Sequence, residues 1–222
     1  MNVKGQESAG SQLPHRGVIT LCPTARELGR GNSAIVFEHE GAEALKKLRP
    51  ERCHREDDHG FRPELRQHYK ENRQRFEAEL HCGHICRSDH IVKVHARATV
   101  DGCPAIVMER LGPTLGQFIF EPVGPPRPEA TIQHYLLGAL RGLKDMHQKG
   151  YMHRDVNLDN VLLTRDERYA KLADLGSARR IRNTDSSMRE LLSPAFGHHN
   201  YYTAPEAYPG KETEKRGEET YN

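Results

Sequence analysis

The sequence predicts an α+β domain, with strands gathered in its first half and its strongest helix after them. Three observations predict this. Two strand–turn–strand patterns occupy 26–48 and 91–110, each turning at a glycine-containing segment. One helical stripe starts between them at Pro63. The clearest helix of the chain, Glu129–Lys149, follows both. At 222 residues the chain can bury one sizeable core, so one domain, simple or two-lobed, is expected.

Composition narrows the class. Hydrophobic residues make up 36% and charged residues 29%, a balance that fits a globular middle with disordered ends. The net charge is +2 with acids and bases interspersed, whereas a nucleic-acid binder clusters its basic residues. No apolar run approaches the roughly 20 residues needed to span a bilayer. Met1–Gly10 lacks an apolar signal core. The five cysteines (Cys22, Cys53, Cys82, Cys86, Cys103) form no compact framework. A reducing intracellular compartment, cytoplasmic or nuclear, is therefore expected.

Taken in order, residues 1–23 read as a flexible leader rich in Gly, Ser, Gln and Pro, with Val18–Leu21 docking loosely. Arg26–Phe37 reads as strand, Gly-rich turn, strand. In such a turn, backbone without Cβ atoms can approach a phosphate and donate N–H groups to it. Glu43–Leu48 reads as the next strand; alternation puts Lys46 and Lys47 on opposite faces, with Lys47 solvated. Arg49–Gly60 is a charged connector. From Pro63 a helix is predicted, with Leu65, Tyr69, Phe76 and Leu80 on one stripe and Gly83 ending it. His81, Cys82, His84 and Cys86 match no usual zinc spacing, so two small buried cysteines at a helix end are expected.

Ile91–Ala98 and Ala105–Arg110, joined through Asp101-Gly102, form a predicted hairpin. Thr114 is placed to cap a short helix running to Phe120. The segment 121–128 carries four prolines and is a loop. In Glu129–Lys149 the residues Ile132, Leu136, Leu140 and Leu143 follow spacings of four, four and three, and Gly150 stops the helix.

Next comes His153-Arg154-Asp155, with Asn160 five positions past the Asp, then Asp174-Leu175-Gly176. This resembles the catalytic loop of eukaryotic-type protein kinases, H-R-D-L-x-x-x-N followed by D-F-G. Gly29, Gly31, Ala34 and Val36 resemble the Gly-rich G-x-G-x-x-G-x-V, with Ala34 at the third glycine. Ala44-Leu45-Lys46 resembles V-A-I-K, and Ala204-Pro205-Glu206 matches A-P-E. The likeness runs from Gly29 to Glu206, most of the chain.

The resemblance implies a two-lobed protein-kinase-like fold over 24–222. Its N-lobe, 24–110, would be a small antiparallel sheet with one regulatory helix; a mainly helical, incomplete C-lobe would occupy 111–222. It implies ATP and Mg²⁺ as cofactors and a protein as substrate. Lys46, held by Glu79 (with Glu77 as competitor), would orient the α/β-phosphates. Gly29, Gly31, Val36, Ala44, Met108, Glu109, Leu111 and Leu162 would enclose the nucleotide, with the backbone of 109–112 facing the adenine. Asp174 and Asn160 would hold the metal ions, and Asp155 would orient the substrate hydroxyl. His153 and Leu175 would be packing residues that lock the loop. Thr184, Ser186, Ser187 and Ser193 would allow switching by phosphorylation through Arg154.

Three departures qualify the resemblance. Asn157 stands where serine/threonine kinases of the family carry Lys. Tyrosine-specific members carry Arg two or four positions after the catalytic Asp, where this chain has Asn157 and Asp159. No cation from this loop is thus offered to the transferring phosphate; a lost contact of that kind costs roughly 10²–10³ in rate. His199 replaces the Thr commonly found seven residues before the Glu of A-P-E. Past Glu206 only Ala207, Tyr208 and Tyr221 are apolar, so the stripe on 129–149 would be exposed and would invite a protein partner or a dimer. The reading is an ATP-dependent protein kinase, serine/threonine rather than tyrosine. The alternative is a weak or inactive kinase-like binding module or a truncated fragment.

Overall fold

The computed structural model describes residues 13–49, 63–120 and 126–181. The expectations for Cys53, Leu65, Tyr69, Thr184, Ser186, Ser187, Ser193, His199 and Ala204–Tyr221 fall outside the described residues or side chains.

The first lobe is a six-stranded sheet in the order β1-β5-β6-β4-β3-β2. Its strands are β1 (His15–Val18), β2 (Glu27–Arg30), β3 (Ala34–Glu38), β4 (Glu43–Leu48), β5 (Val94–Val100) and β6 (Cys103–Glu109). Strands β2 to β6 pair antiparallel, as expected. The segment expected as a flexible leader instead contributes β1, which pairs parallel with β5. Arg16 fixes it through both Glu43 carboxylate oxygens, at 2.5 and 2.8 Å.

Behind β1, Ile19 and Leu21 pack on Leu45, Ala96, Ala98, Val100, Ala105 and Val107, the outer face of the sheet. This corrects the expectation for Lys47. It lies on the face opposite Lys46, but it is buried and its ammonium pairs with Asp101 at 2.5 Å. Alternation fixed the face; only the covering segment decides whether that face is wet. Among the cysteines, Cys103 is disulfide-bonded, and Cys22, Cys82 and Cys86 are free. The expectation of reduced thiols did not include that bond.

The inner face carries a second cluster, with Ala34, Ala44, Leu48, Ile106 and Met108 meeting Phe76 and Leu80 of α1 (Pro63–Ile85). Gly83 does not end α1, which runs on to Ile85. Its role is clearance: a Cβ there would lie 2.3 Å from Val94 Cγ2, so glycine lets the helix sit down on β5.

The second lobe follows with α2 (Leu115–Phe120), α3 (Glu129–Gln148), β7 (Tyr151–Met152), β8 (Val161–Leu163), β9 (Ala170–Leu172), a single 3₁₀ turn (Leu175–Ser177) and β10 (Arg179–Arg180). Thr114 caps α2 reciprocally: Gln117 N–H donates to its hydroxyl oxygen at 3.1 Å, and Gln117 Oε1 accepts Thr114 N–H at 2.9 Å. Strands β8 and β9 form a hairpin, and β7 pairs with β10. The Cys82 and Cys86 side chains are buried beside Leu175 and Tyr151 in this lobe's core.

The buried face of α3 is Tyr135, Gly138, Ala139, Gly142 and Met146, not the leucine stripe. Leu136, Leu137 and Leu140 are exposed. A Cβ on Gly138 would meet the Ala170 carbonyl oxygen at 2.8 Å, and one on Gly142 would meet the His90 carbonyl oxygen at 2.6 Å. The two glycines, four apart, thus let α3 press against β9 and the chain before β5. Periodicity marked a helix correctly. The stripe expected to be exposed is so at Leu136 and Leu140, while Leu143 packs half-buried against the core; the small residues of the dry face carry no hydrophobic signal.

Candidate active site

Between the lobes lies a cleft of about 480 Å³. Every residue expected at the site lines it: Gly29, Gly31 and Val36 above; Ala44, Lys46, Glu79 and Met108 behind; Glu109 and Leu111 at the lobe junction; Asp155, Asn160, Leu162 and Asp174 below.

The sheet register places the centre. Lys46 sits mid-strand in β4, opposite Val36 on β3 and Ile106 on β6. Its ammonium donates to both Glu79 carboxylate oxygens, at 2.9 and 2.7 Å, and to Asp174 Oδ1 at 3.1 Å. Burial opposes the charge on Lys46, but the carboxylates of Asp174 and Glu79 outweigh it and hold the amine protonated. Burial likewise pushes the Glu79 carboxyl up, against the pull of Lys46. Lys46 holds Asp174 well below the usual carboxylate range. Glu77, the competitor for Lys46, turns away and pairs with Arg97 at 2.5 Å. Two residues of helix rotation separate its face from that of Glu79.

Asp174 occupies the left-handed region, with φ 54° and ψ 64°, at the entry to the 3₁₀ turn. Aspartate tolerates this conformation better than most residues. The fully buried Leu175 anchors the turn beneath α1, leaving the Asp174 carboxylate half exposed to the cleft.

The loop 153–160 is closed by its own hydrogen bonds. Buried His153 bonds through Nε2 to the Ala173 carbonyl oxygen at 3.0 Å, and its Nδ1 accepts Asp155 N–H at 3.3 Å. The imidazole is therefore neutral, and burial lowers its pKa. Ala173 N–H donates to the Asn160 carbonyl oxygen at 2.9 Å, tying the loop to the Asp174 strand end. Asn160 Nδ2 donates to the Asp155 carbonyl oxygen at 2.8 Å and to Asp155 Oδ2 at 3.1 Å.

The donor set suits a hard divalent cation. Asn160 uses its amide nitrogen on Asp155, which leaves Oδ1, and Asp174 uses Oδ1 on Lys46, which leaves Oδ2. Oxygen donors from one carboxylate and one amide match what Mg²⁺ prefers.

At the lobe junction most backbone donors are engaged. Glu109 N–H bonds Lys93 O at 2.9 Å, Arg110 N–H bonds Ala42 O at 2.7 Å, and Gly112 N–H bonds Leu163 O at 2.7 Å. Leu111 N–H has no backbone acceptor among the described residues. The Glu109 carboxylate accepts from the Lys171 ammonium through both oxygens. The two glycines of the upper turn have no positive φ, and a Cβ on Gly29 would meet nothing within 4 Å. Neither backbone conformation nor packing within the chain requires glycine there.

Sequence reasoning did not assign to the site several residues that line the cleft, among them Arg75, Val92, Thr114, Gln117, Asp159 and Ala173. Arg75 lies four residues before Glu79, so helical spacing alone would have put both on one face. Asp159 lies next to Asn160 in the same loop.

A sequence profile of the protein kinase domain matches residues 23–219. The chain is 32% identical over 149 residues to serine/threonine-protein kinase PknH of Mycobacterium bovis, covering 66% of this chain and 24% of that protein. It is 30% identical over 147 residues to serine/threonine-protein kinase mos of Patiria pectinifera, covering 63% and 40%. It is 51% identical over 49 residues to the membrane-associated tyrosine- and threonine-specific cdc2-inhibitory kinase of Drosophila melanogaster, covering 22% and 9%. The chain thus spans less than half the length of each of these relatives. With a domain profile over most of its length and a two-lobed fold around the cleft, the chain belongs to the protein kinase domain family.

Proposed function

We propose that this chain transfers the γ-phosphoryl group of ATP to a protein hydroxyl, on serine or threonine rather than tyrosine. The observation that carries the reading is the ammonium of Lys46 held between Glu79 and Asp174 at the back of a cleft that also contains Asp155 and Asn160. Phosphoryl transfer asks a protein mainly for positioning and for neutralisation of charge. In this reading the apolar walls at Val36, Ala44, Met108 and Leu162 take the adenine, and Leu111 N–H bonds its edge. Lys46 neutralises the phosphates. Asn160 and Asp174 hold Mg²⁺, which would supply charge neutralisation to the transferring group. Asp155 orients the acceptor hydroxyl. The similarity to PknH and mos, both serine/threonine-protein kinases, supports the acceptor class.

A second reading, a nucleotide-binding module with weak transfer, is favoured by Asn157. Its amide faces Asp155, and the loop offers no lysine to the phosphate. One experiment separates the two. The full chain is incubated with γ-labelled ATP, Mg²⁺ and a generic protein substrate, alongside Asp155→Ala. Label transfer that Asp155→Ala abolishes is expected. A thermal shift with ATP and Mg²⁺ but no Asp155-dependent transfer would establish the module instead.

A further inference from the structure

We infer that Asn157 is a positioning residue that fixes the carboxylate of Asp155. The inference rests on the kinase reading above and deepens it at the same site.

Both ends of the Asn157 side chain are engaged. Oδ1 accepts the backbone N–H groups of Asp159, at 2.9 Å, and of Asn160, at 3.0 Å. Nδ2 faces Asp155, 3.2 Å from Oδ1 and 3.4 Å from the carbonyl oxygen. This orientation of the amide is forced, because backbone N–H groups can only donate and so require the oxygen. Asn160 Nδ2 takes the other oxygen of the same carboxylate, Oδ2, at 3.1 Å. Asp155 is therefore held by one amide on each carboxylate oxygen, in one rotamer, before any ligand arrives. The same Asn157 closes the turn that delivers the second amide.

Of the other side chains that position 157 could carry, few can do both jobs. Lysine only donates, so it would take the side-chain acceptor from both N–H groups, leaving the 160 N–H only the 157 carbonyl oxygen at 3.2 Å. Aspartate only accepts, so it would preserve the turn and set a second carboxylate against Asp155. Glutamine has the chemistry but one methylene too many for a turn closed two and three residues on. The departure at 157 is thus more than a missing cation: a neutral group that donates and accepts now builds the loop around Asp155. Asn157 does not line the cleft, so it acts on Asp155 rather than on the nucleotide.

The test compares Asn157→Asp, Asn157→Ala and wild type in steady-state phosphoryl transfer, with Asp155→Ala as the reference for dependence on the site. Asn157→Asp keeps the turn, so a purely structural role predicts wild-type kinetics for it. The positioning role predicts that kcat falls about tenfold or more, as expected for loss of roughly one directed hydrogen bond to a reacting group. It also predicts an unchanged KM for ATP, so that the loss falls on kcat alone. Asn157→Asp with wild-type kcat would overturn the inference. If wild type shows no Asp155-dependent transfer, the kinase reading fails, and the clamp is judged by NMR. The Asn157 side-chain amide protons should then move toward free-amide values in Asp155→Ala, and an unmoved resonance would overturn the inference.

Discussion

Lys171 Nζ donates to both carboxylate oxygens of Glu109, at 2.8 Å each, and so joins the end of β6 in the sheet lobe to β9 in the helical lobe. Glu109 Oε1 also accepts Lys93 N–H, at 2.6 Å. Lys171 is 8% exposed and Glu109 19%, so the pair is largely out of water. Breaking a buried pair from one side leaves an uncompensated charge and costs about 3 kcal/mol. Lys171→Met is expected to lose about that much in urea unfolding, and Lys171→Met combined with Glu109→Gln to regain part of it. A loss below about 0.5 kcal/mol, the scale of an exposed pair, would refute the latch.

Lys46 is the cation between two carboxylates, and removing it sets Glu79 against Asp174. Lys46→Met is expected to lower label transfer by at least roughly 100-fold, the scale of losing a preorganised charge contact. Glu79→Gln keeps one hydrogen bond to Lys46 and is expected to lose less. Equal activity of Lys46→Met and wild type in the transfer assay would remove Lys46 from the site.

The glycines divide into two groups with opposite expectations. At Gly142 a Cβ meets the backbone oxygen of His90 at 2.6 Å, which cannot move without shifting the chain before β5. Gly142→Ala is expected to cost about 1–3 kcal/mol, the range for overpacking. At Gly29 a Cβ meets nothing, so Gly29→Ala should leave the melting temperature unchanged within a degree or two and raise the KM for ATP. A Gly29→Ala protein with unaltered nucleotide affinity would show that no ligand approaches that turn.

Burial lowers the pKa of His153 below its ordinary value of about 6.5. Above that pH both folded and unfolded forms hold it neutral. As the pH falls below about 6.5, the unfolded chain takes up a proton that the buried ring refuses, so stability is lost downward from there. The expected signature is a stability that falls between pH 7 and 5.5 in wild type and falls less in His153→Gln, which keeps a donor for Ala173 O but does not titrate. Identical slopes for the two proteins would contradict it.

Much of the site was legible because its residues fall in short, fixed spacings. His153, Asp155 and Asn160 share one loop, and Asp174 follows one hairpin later; local geometry alone brings these close. Lys46 and Glu79 were legible only through the resemblance, since 33 residues separate them and the register of β4 decides that they meet. Lys171 gave no signal at all. It sits in a short apolar run of a two-faced strand, and its partner is 62 residues away.

The sequence by itself determined the helices, the strands from β2 to β6 and the order of the chemical groups, because propensity, capping and periodicity act over a few residues; it missed β1, which forms only by pairing with β5. It also determined the face of Lys47 and the existence of α3. The tertiary structure decided which faces are dry. Ile19 and Leu21 cover the outer sheet and bury Lys47. Gly138 and Gly142 press α3 onto β9 and leave Leu136, Leu137 and Leu140 outside. Burial depends on what arrives from elsewhere in the chain, and close approach depends on side chains that are missing. Neither is written in the local pattern of apolar residues.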